Sequence, residues 1–524
     1  MCTFRLLSGV VLLVVLTFLV APTVEAGEEL SRDEYTILRI CEGVVRLFER
    51  KAEAIWPGYS LAEQSFLVYV PERWALLFNS DTAVNGFETC PRDWPDLDAN
   101  VLYHEGTYGE LVGQLVFDLS LGEITTVALG IPEDFSKRIE NPEVEAFAYI
   151  VHEAFHQYQR GAFGEVPWAR EEKYPVSDLN NAALAWLEMR ILQDALEAAV
   201  SNDPKQCRRS VEEFVAVRYN RWDRCDPFVG EYEQGKELNE GTAKYVELRC
   251  VEFMPGVDYV SSLDGATSPL AGLFTHAAMP ELLLRELRER MGEGCLRPED
   301  IPRNRIYAVA GTQGFLLDYF GIDWKGLAQD AGPEFTFFGL LRTHLGVGES
   351  GLAELVERAK NKYGYGKILS STTEAAEGYE QAYARELEIF EAQGGLRFEI
   401  VVSSSNLSRS RVSRAKKWLM GDGRSCLCSH FKVYTLRGGD WKLELHDAGL
   451  LELNDWDAQR KEVIFYDPGV GSVSLNGEPA SPLAPGTRIF ESLELTGDHF
   501  TFSSKQPGKL VVTGDTVRLL FDSN

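Results

Sequence analysis

Two histidines, His152 and His156, stand four residues apart in a segment whose other residues are nearly all apolar. Residues four apart share one face of an α-helix, so both imidazoles can point at one centre. Asn141 can cap such a helix, and Pro142 suits its first position. A helix this apolar is expected to be buried, and buried polar side chains require partners. The segment 142–160 therefore predicts a core helix whose polar side chains meet other polar groups in the interior.

Glu153 follows the first histidine and completes the pattern H-E-x-x-H. In this pattern the two histidines can bind one zinc ion, and the glutamate can take a proton from a water molecule that the metal activates. The alternative is a chance match without a metal, which is typical of exposed helices, and the apolar surroundings favour the zinc site. A zinc hydrolase also needs a third protein ligand and an open position for water. Glu188 and Glu240 are the downstream candidates.

Glu240 lies in the segment 238–243, L-N-E-G-T-A, which resembles the L-N-E-G-x-A segment of aminopeptidase N-type gluzincins. The resemblance implies that Glu240 is the third zinc ligand, beside His152 and His156. It also implies a thermolysin-like, mainly helical zincin domain with a small N-terminal sheet. The family has a much shorter stretch between these motifs, whereas 83 residues separate His156 from Glu240 here. The likeness covers short motifs and their order, and Glu188 stays the alternative ligand.

Tyr307 precedes a glycine and an apolar run, and this pattern is similar to the helix that supplies the catalytic tyrosine in that family, with one additional residue before the glycine. The resemblance implies that Tyr307 donates a hydrogen bond to the carbonyl oxygen on which negative charge develops. Tyr245 and His276 are weaker candidates, for which core or rim positions are the alternative. Glu247, seven residues after Glu240, either orients a histidine ligand through a hydrogen bond or is a surface residue.

The nature of the substrate is indicated by two features. The segment 125–131 precedes the predicted zinc helix, and an exposed edge strand there would pair with an extended peptide. An ordinary sheet strand is the alternative. The chain lacks the G-A-M-E-N segment with which aminopeptidases of that family capture a free N-terminal amine. We therefore expect a peptidase that cuts inside a peptide chain. The alternatives are a zinc hydrolase of non-peptide amides and a non-catalytic binding or surface protein that keeps the fold.

Residues 1–26 have the pattern of a secretory signal peptide. Arg5 precedes the mostly apolar run 6–21, and the small residues Val24 and Ala26 suit a signal peptidase. The run is shorter than the roughly 20 residues that cross a bilayer. The mature protein is therefore predicted to be secreted or otherwise extracytoplasmic, without an integral membrane segment. The formal charge of −28 argues against a nucleic-acid partner, because such partners require clustered lysine and arginine.

The cysteine count agrees with export. An even number of cysteines in an exported chain predicts disulfides. Cys207 and Cys225 form a plausible local pair, whereas Cys426 and Cys428 are too close in sequence to bond to each other comfortably. No C-x-x-C pair occurs, so a cysteine zinc cluster is not expected. The eight cysteines after residue 26 are Cys41, Cys90, Cys207, Cys225, Cys250, Cys295, Cys426 and Cys428.

The pattern of apolar residues divides the rest of the chain into a catalytic domain, 27–394, and a β-rich accessory domain, 395–524. The first has an N-terminal α/β part, 27–140, and a mainly helical part, 141–394. In the accessory domain, short apolar runs alternate with turn residues, which is typical of a sandwich-like all-β domain. The predicted fold class is therefore α+β.

Two details of the accessory domain remain open. The stretch 403–413 is predicted to be a solvated loop within the accessory domain. Trp441 and Trp456 suggest a platform for carbohydrate or another surface contact, and core positions are the alternative.

Overall fold

The computed structural model describes residues 32–521 except 81, 90–100, 109–115, 122–123, 132–140, 165–170, 293–295, 405–406, 413–415, 421–422 and 481–482. The predicted signal peptide and two cysteines, Cys90 and Cys295, lie outside the described residues. The described part has a helical region followed by a C-terminal all-β region, so the chain is α+β as predicted. No helix among the described residues is long and apolar enough to cross a membrane.

The N-terminal part consists of helix α1 (Arg32–Ile55) and a six-stranded sheet. The sheet order is β3-β4-β2-β1-β6-β5, and only β1 and β6 run parallel. Every residue of the first two strands is buried, which explains their continuous apolar runs. The strands are β1 (Phe66–Val70), β2 (Trp74–Phe78), β3 (Glu88–Thr89), β4 (Val101–Glu105), β5 (Val116–Leu121) and β6 (Ile124–Gly130).

The prediction that segment 125–131 is an exposed edge strand is wrong, and the alternative, an ordinary sheet strand, is confirmed. Strand β6 covers this segment, but it lies inside the sheet, between β1 and β5. Residues Val116 to Leu121 fold back as a hairpin and pair along β6, so the backbone groups of β6 are already engaged on both sides. Strand β5 is the edge of the sheet at this end.

The central part of the chain is helical, and an aspartate side chain caps three of its helices. Asp178, Asp203 and Asp226 each accept a hydrogen bond from a backbone N–H of the first helical turn. A five-residue π-turn, Glu237–Gly241, joins two of the α-helices end to end. The helices are α2 (Pro142–Ala162), α3 (Leu179–Val200), α4 (Pro204–Arg224), α5 (Pro227–Lys236), α6 (Thr242–Phe253), α7 (Met279–Met291), α8 (Asn304–Tyr319), α9 (Trp324–Ala331), α10 (Phe337–Leu345), α11 (Leu352–Tyr363) and α12 (Tyr365–Glu391).

The C-terminal region is one 13-stranded sheet in which the two longest strands, β10 and β11, pair with each other along most of their length. One half of β11 also pairs with β17 and the other half with β12. Strand β11 therefore connects both halves of the sheet. The strands are β7 (Leu396–Ser403), β8 (Leu407–Val412), β9 (Lys416–Met420), β10 (Ser425–Gly438), β11 (Trp441–Asp455), β12 (Arg460–Asp467), β13 (Val470–Leu475), β14 (Glu478–Pro479), β15 (Gly486–Phe490), β16 (Leu493–Gly497), β17 (Phe500–Ser504), β18 (Gly508–Thr513) and β19 (Thr516–Leu520).

Two predictions for this region need correction. The stretch 403–413 is not a solvated loop, because it contains the end of β7 and all of β8, which pairs with β10. Trp441 is buried in the core, where its ring stacks on Phe502, so it cannot belong to an exposed carbohydrate platform. Trp456 is partly buried, and the ammonium of Lys173 lies 5.0 Å from its ring centroid.

The predicted disulfide between Cys207 and Cys225 is also wrong. Cys207 lies in the first turn of α4, and Cys225 caps its other end. Eighteen residues of helix separate two such positions by about 27 Å, far beyond the reach of a disulfide. Cys426 and Cys428 are buried, and their sulfurs, 4.0 Å apart, share a hydrogen bond rather than a disulfide. No disulfide joins any two of the six described cysteines, which are Cys41, Cys207, Cys225, Cys250, Cys426 and Cys428.

Candidate metal centre

Helix α2 brings His152 and His156 together on one face, with their ring centroids 5.0 Å apart. The helix is buried as its sequence predicts. On its apolar side, Phe155 packs edge-on against Trp56, with centroids 5.0 Å apart, and Phe147 is fully buried. This packing fixes the direction in which the two imidazoles point.

The third member of the cluster is Glu240, in the π-turn between α5 and α6. Its Oε2 lies 3.5 Å from Nε2 of His152 and 3.3 Å from Nε2 of His156. One ligand atom from each residue lies within 4.8 Å of the other two, and His152 and Glu240 are both buried. The structure therefore brings together the three residues that the sequence motifs suggested as ligands.

Hydrogen bonds from the far side of each imidazole orient the two rings. His152 donates from Nδ1 to Oε2 of Glu247 at 3.0 Å, and His156 donates from Nδ1 to Oε1 of Gln159 at 2.6 Å. Because the acceptors are a carboxylate and an amide oxygen, each Nδ1 carries a proton, and Nε2 is the nitrogen that faces Glu240 and would bind a metal once it has lost its own proton. Glu247 is thus a partner of a histidine rather than a surface residue.

Gln159 also connects α2 to the π-turn. Its side-chain Nε2 donates to the carbonyl oxygen of Asn239 at 2.7 Å and to the hydroxyl of Thr242 at 2.5 Å. One buried amide therefore orients His156 and holds the backbone on either side of Glu240. No motif in the sequence singles out Gln159, although its position three residues after His156 places it on the same side of the helix.

The carboxylates of the cluster are strongly acidic. Burial alone would raise the pKa of Glu240, but hydrogen bonds from His152 and His156 and the charge of Lys236 hold that pKa well below its usual range. Burial likewise opposes ionisation of Glu247, yet the charge of Lys244 and the hydrogen bond from His152 lower its pKa to about 2. Both carboxylates are therefore ionised at neutral pH.

The geometry of the cluster fits zinc. Two ligand atoms bound at about 2.0–2.1 Å in a tetrahedral arrangement lie roughly 3.3 Å apart. The distances from Oε2 of Glu240 to the two Nε2 atoms, 3.3 and 3.5 Å, are close to that value. Two imidazole nitrogens and one carboxylate oxygen are also a ligand set that catalytic zinc uses, with a fourth position left for water or substrate.

Glu153 is half-buried beside the first histidine. Within the described part of the chain, its carboxylate forms no hydrogen bond or ion pair. It differs in this respect from Glu240 and Glu247, whose oxygens are bound to histidine and lysine. A carboxylate without a structural partner is free to accept a proton.

Tyr307 lies next to the cluster of His152, His156 and Glu240. Its ring stacks on that of His152, with centroids 5.8 Å apart and the planes inclined by 24°. Burial, together with the neighbouring Glu240 carboxylate, raises the pKa of Tyr307, so its hydroxyl stays protonated and can donate a hydrogen bond.

The two weaker candidates lie elsewhere. Tyr245 donates its hydroxyl to Asp318 in a separate buried cluster. His276 is exposed in the connection before α7.

The alternative ligand, Glu188, is not in the cluster. It is fully buried in α3, where its carboxylate accepts hydrogen bonds from Arg218 at 2.9 Å and from Arg221 at 2.6 Å. Arg221 and Arg305 also bind Glu233, and Arg218 binds Glu237 at 2.6 Å. Three carboxylates thus balance three guanidinium groups in the interior. The signal for this network in the sequence is a pair of arginines three residues apart in the largely buried helix α4.

Comparisons of the chain with protein-family models, with curated proteins and with solved structures found no match. The likeness to gluzincins therefore depends on the short motifs around His152, Glu240 and Tyr307. The geometry of the cluster is independent of that likeness.

Proposed function

We propose that the protein is a zinc-dependent peptidase in which His152, His156 and Glu240 hold the metal. The observation that supports this proposal is the cluster of two Nε2 atoms and one carboxylate oxygen at separations suited to one zinc ion, next to the free carboxylate of Glu153. Glu153 carries the argument for catalysis, because metal binding alone would not require it.

Each residue of the site has a role in this proposal. When bound, zinc would make a water molecule more acidic and polarise the scissile carbonyl. The carboxylate of Glu153 takes a proton from the attacking water and passes it to the leaving amine, a contribution of typically 10²–10⁴-fold. The hydroxyl of Tyr307, kept protonated by burial, donates a hydrogen bond to the oxygen that gains negative charge.

For the substrate, we propose peptides that are cut inside the chain, by an enzyme that acts outside the cytoplasm. An extended substrate that adds to the N-terminal sheet would pair with β5, because β6 already has a neighbour on each side. The absence of the G-A-M-E-N segment favours internal cleavage over release of N-terminal residues.

The test is to measure zinc content and casein hydrolysis for the wild type and for Glu153→Gln. We expect one zinc per chain in both proteins, and hydrolysis reduced at least about 100-fold in the variant. The control is Glu145→Gln, which removes an exposed carboxylate from the first turn of the same helix and should leave hydrolysis unchanged.

Other outcomes would contradict the proposal in distinguishable ways. A wild type that binds zinc but does not hydrolyse casein or small amides would indicate a non-catalytic metal-binding protein. Hydrolysis of small acyl amides but not of casein, lost in Glu153→Gln, would indicate a zinc amidase. A wild type without zinc would exclude the site itself.

A further inference from the structure

The two carboxylate oxygens of Glu240 have different partners. Oε2 faces the histidines, at 3.5 Å from His152 and 3.3 Å from His156. Oε1 instead accepts a hydrogen bond from the ammonium of Lys236 at 3.1 Å. Lys236 is the last residue of α5, one helical turn before Glu240, and only 11% of its side chain is exposed. The carboxylate is therefore held between two imidazoles on one side and a cation on the other.

A carboxylate can bind a metal through one oxygen or through both. An ammonium that is bonded to Oε1 occupies that oxygen and repels a second cation from it, so only Oε2 is left for a metal. We propose that Lys236 is a positioning residue that restricts Glu240 to binding the metal through Oε2 alone. This inference rests on the proposed function, because it assumes that the cluster binds a metal.

A second lysine near the cluster, Lys244 of α6, has different partners. Lys244 lies four residues after Glu240, but its ammonium binds Glu247 at 2.6 Å and also pairs with Glu286 of α7. Lys236 thus contacts the ligand itself, whereas Lys244 contacts the carboxylate that orients His152. Removing Lys236 frees an oxygen of the ligand and leaves the orientation of the histidines unchanged.

The experiment compares the wild type with Lys236→Met and Lys236→Arg. Each protein is loaded with Co²⁺, whose visible absorption weakens as its coordination number rises above four, and the Zn²⁺ affinity is measured by competition with a chelator. In Lys236→Met the ammonium no longer occupies Oε1 of Glu240. We therefore expect weaker Co²⁺ absorption and about tenfold tighter Zn²⁺ binding. Changes of this size in metal affinity are typical when a group that contacts a metal ligand is replaced. Lys236→Arg should retain the wild-type spectrum and affinity.

A purely structural role for Lys236 predicts the opposite, namely weaker Zn²⁺ binding in Lys236→Met without a change in the Co²⁺ spectrum. That result, or a variant indistinguishable from the wild type, would overturn the inference. Lys205→Met, at an exposed position in the first turn of α4, controls for the loss of one positive charge. Lys236→Leu, which likewise has no hydrogen-bond donor, repeats the test if the methionine variant does not fold by circular dichroism. A wild type that binds neither Co²⁺ nor Zn²⁺ would instead contradict the proposed function.

Discussion

Gly241 packs so closely against Ala310 that a Cβ atom at Gly241 would lie 2.1 Å from the Cβ of Ala310. Gly241 ends the π-turn that carries Glu240, and Ala310 lies in α8, three residues after Tyr307. The backbone of Gly241 is ordinarily helical, with φ −71°, so the glycine is needed for space rather than for conformation. This contact sets how closely the proposed ligand and the proposed hydrogen-bond donor approach each other.

Replacing Gly241 by alanine should therefore push α8 away from the π-turn. We expect Gly241→Ala to lower the free energy of unfolding by about 1–3 kcal/mol, because the added methyl group overpacks the contact. Urea unfolding followed by circular dichroism measures the change. Gly378 is the control, because it is exposed in the middle of α12 and nothing lies within 4 Å of the position that an added methyl group would take. Gly378→Ala should stabilise the protein by about 0.5–1 kcal/mol. Equal stability of Gly241→Ala and the wild type would contradict the steric argument.

Alanine at Glu240 and alanine at Glu188 should have different effects. Glu240→Ala removes a proposed ligand. We therefore expect zinc affinity to fall by more than about 100-fold, which exceeds the effect of removing a group that only contacts a ligand. Glu188→Ala leaves Arg218 and Arg221 without their shared carboxylate, which should cost about 3–5 kcal/mol of stability while the folded protein retains zinc. Zinc content after dialysis and the urea midpoint measure the two effects. Zinc loss in Glu188→Ala alone would show that the ligand assignment is wrong.

The parts of the fold that could be predicted from the sequence are those that depend on neighbouring residues. The segment 142–160 has its proline at the first helical position and an apolar surface, and α2 covers it. Strand β8 could not be predicted because its serines and arginines resemble a loop, and pairing with β10 decides its structure. The position of β6 inside the sheet likewise depends on a hairpin that local patterns do not reveal.

The positions of the candidate site residues likewise depend partly on local sequence and partly on tertiary contacts. His152 and His156 are four residues apart, so their convergence follows from helix geometry alone. Glu240 and Glu188 both lie in largely apolar segments, and the periodicity of the sequence gives no reason to prefer either one, so only the L-N-E-G-x-A resemblance favours Glu240. What separates them is tertiary: Arg218 and Arg221 reach Glu188 from α4, whereas Gln159 holds the π-turn against α2.

The hydrogen bond from His152 to Glu247 should contribute to metal affinity. Glu247→Ala removes the acceptor that fixes the ring, and we expect zinc affinity to fall about 10–100-fold. Glu247→Gln should lose less, because its amide oxygen can still accept from Nδ1. Chelator competition measures both. Glu252→Ala, in the same helix but paired with Arg249, should bind zinc like the wild type. An unchanged affinity in Glu247→Ala would argue against a role for this hydrogen bond.

The buried ionic network should make stability depend on pH through Glu233. Burial alone would raise the pKa of this carboxyl, but the charges of Arg221 and Arg305 hold it well below its usual value. The unfolded chain therefore binds the proton first as the pH falls. The contribution of Glu233 to stability is complete above the unfolded pKa of about 4.3, and it is lost as the pH falls towards the folded pKa.

The variant Glu233→Gln separates this contribution from all other titrating groups. At about pH 7 we expect it to be less stable than the wild type by about 3–5 kcal/mol, because two buried guanidinium groups lose a charged partner. Below about pH 4 the difference should shrink, because the carboxyl of the unfolded wild-type chain becomes protonated there while the folded one stays ionised, and this favours unfolding of the wild type but not of the variant. Urea midpoints across this pH range measure the difference, with Glu354→Gln at an exposed position of α11 as the control. A difference that stays constant as the pH falls would show that Glu233 does not stabilise the fold as an ionised group.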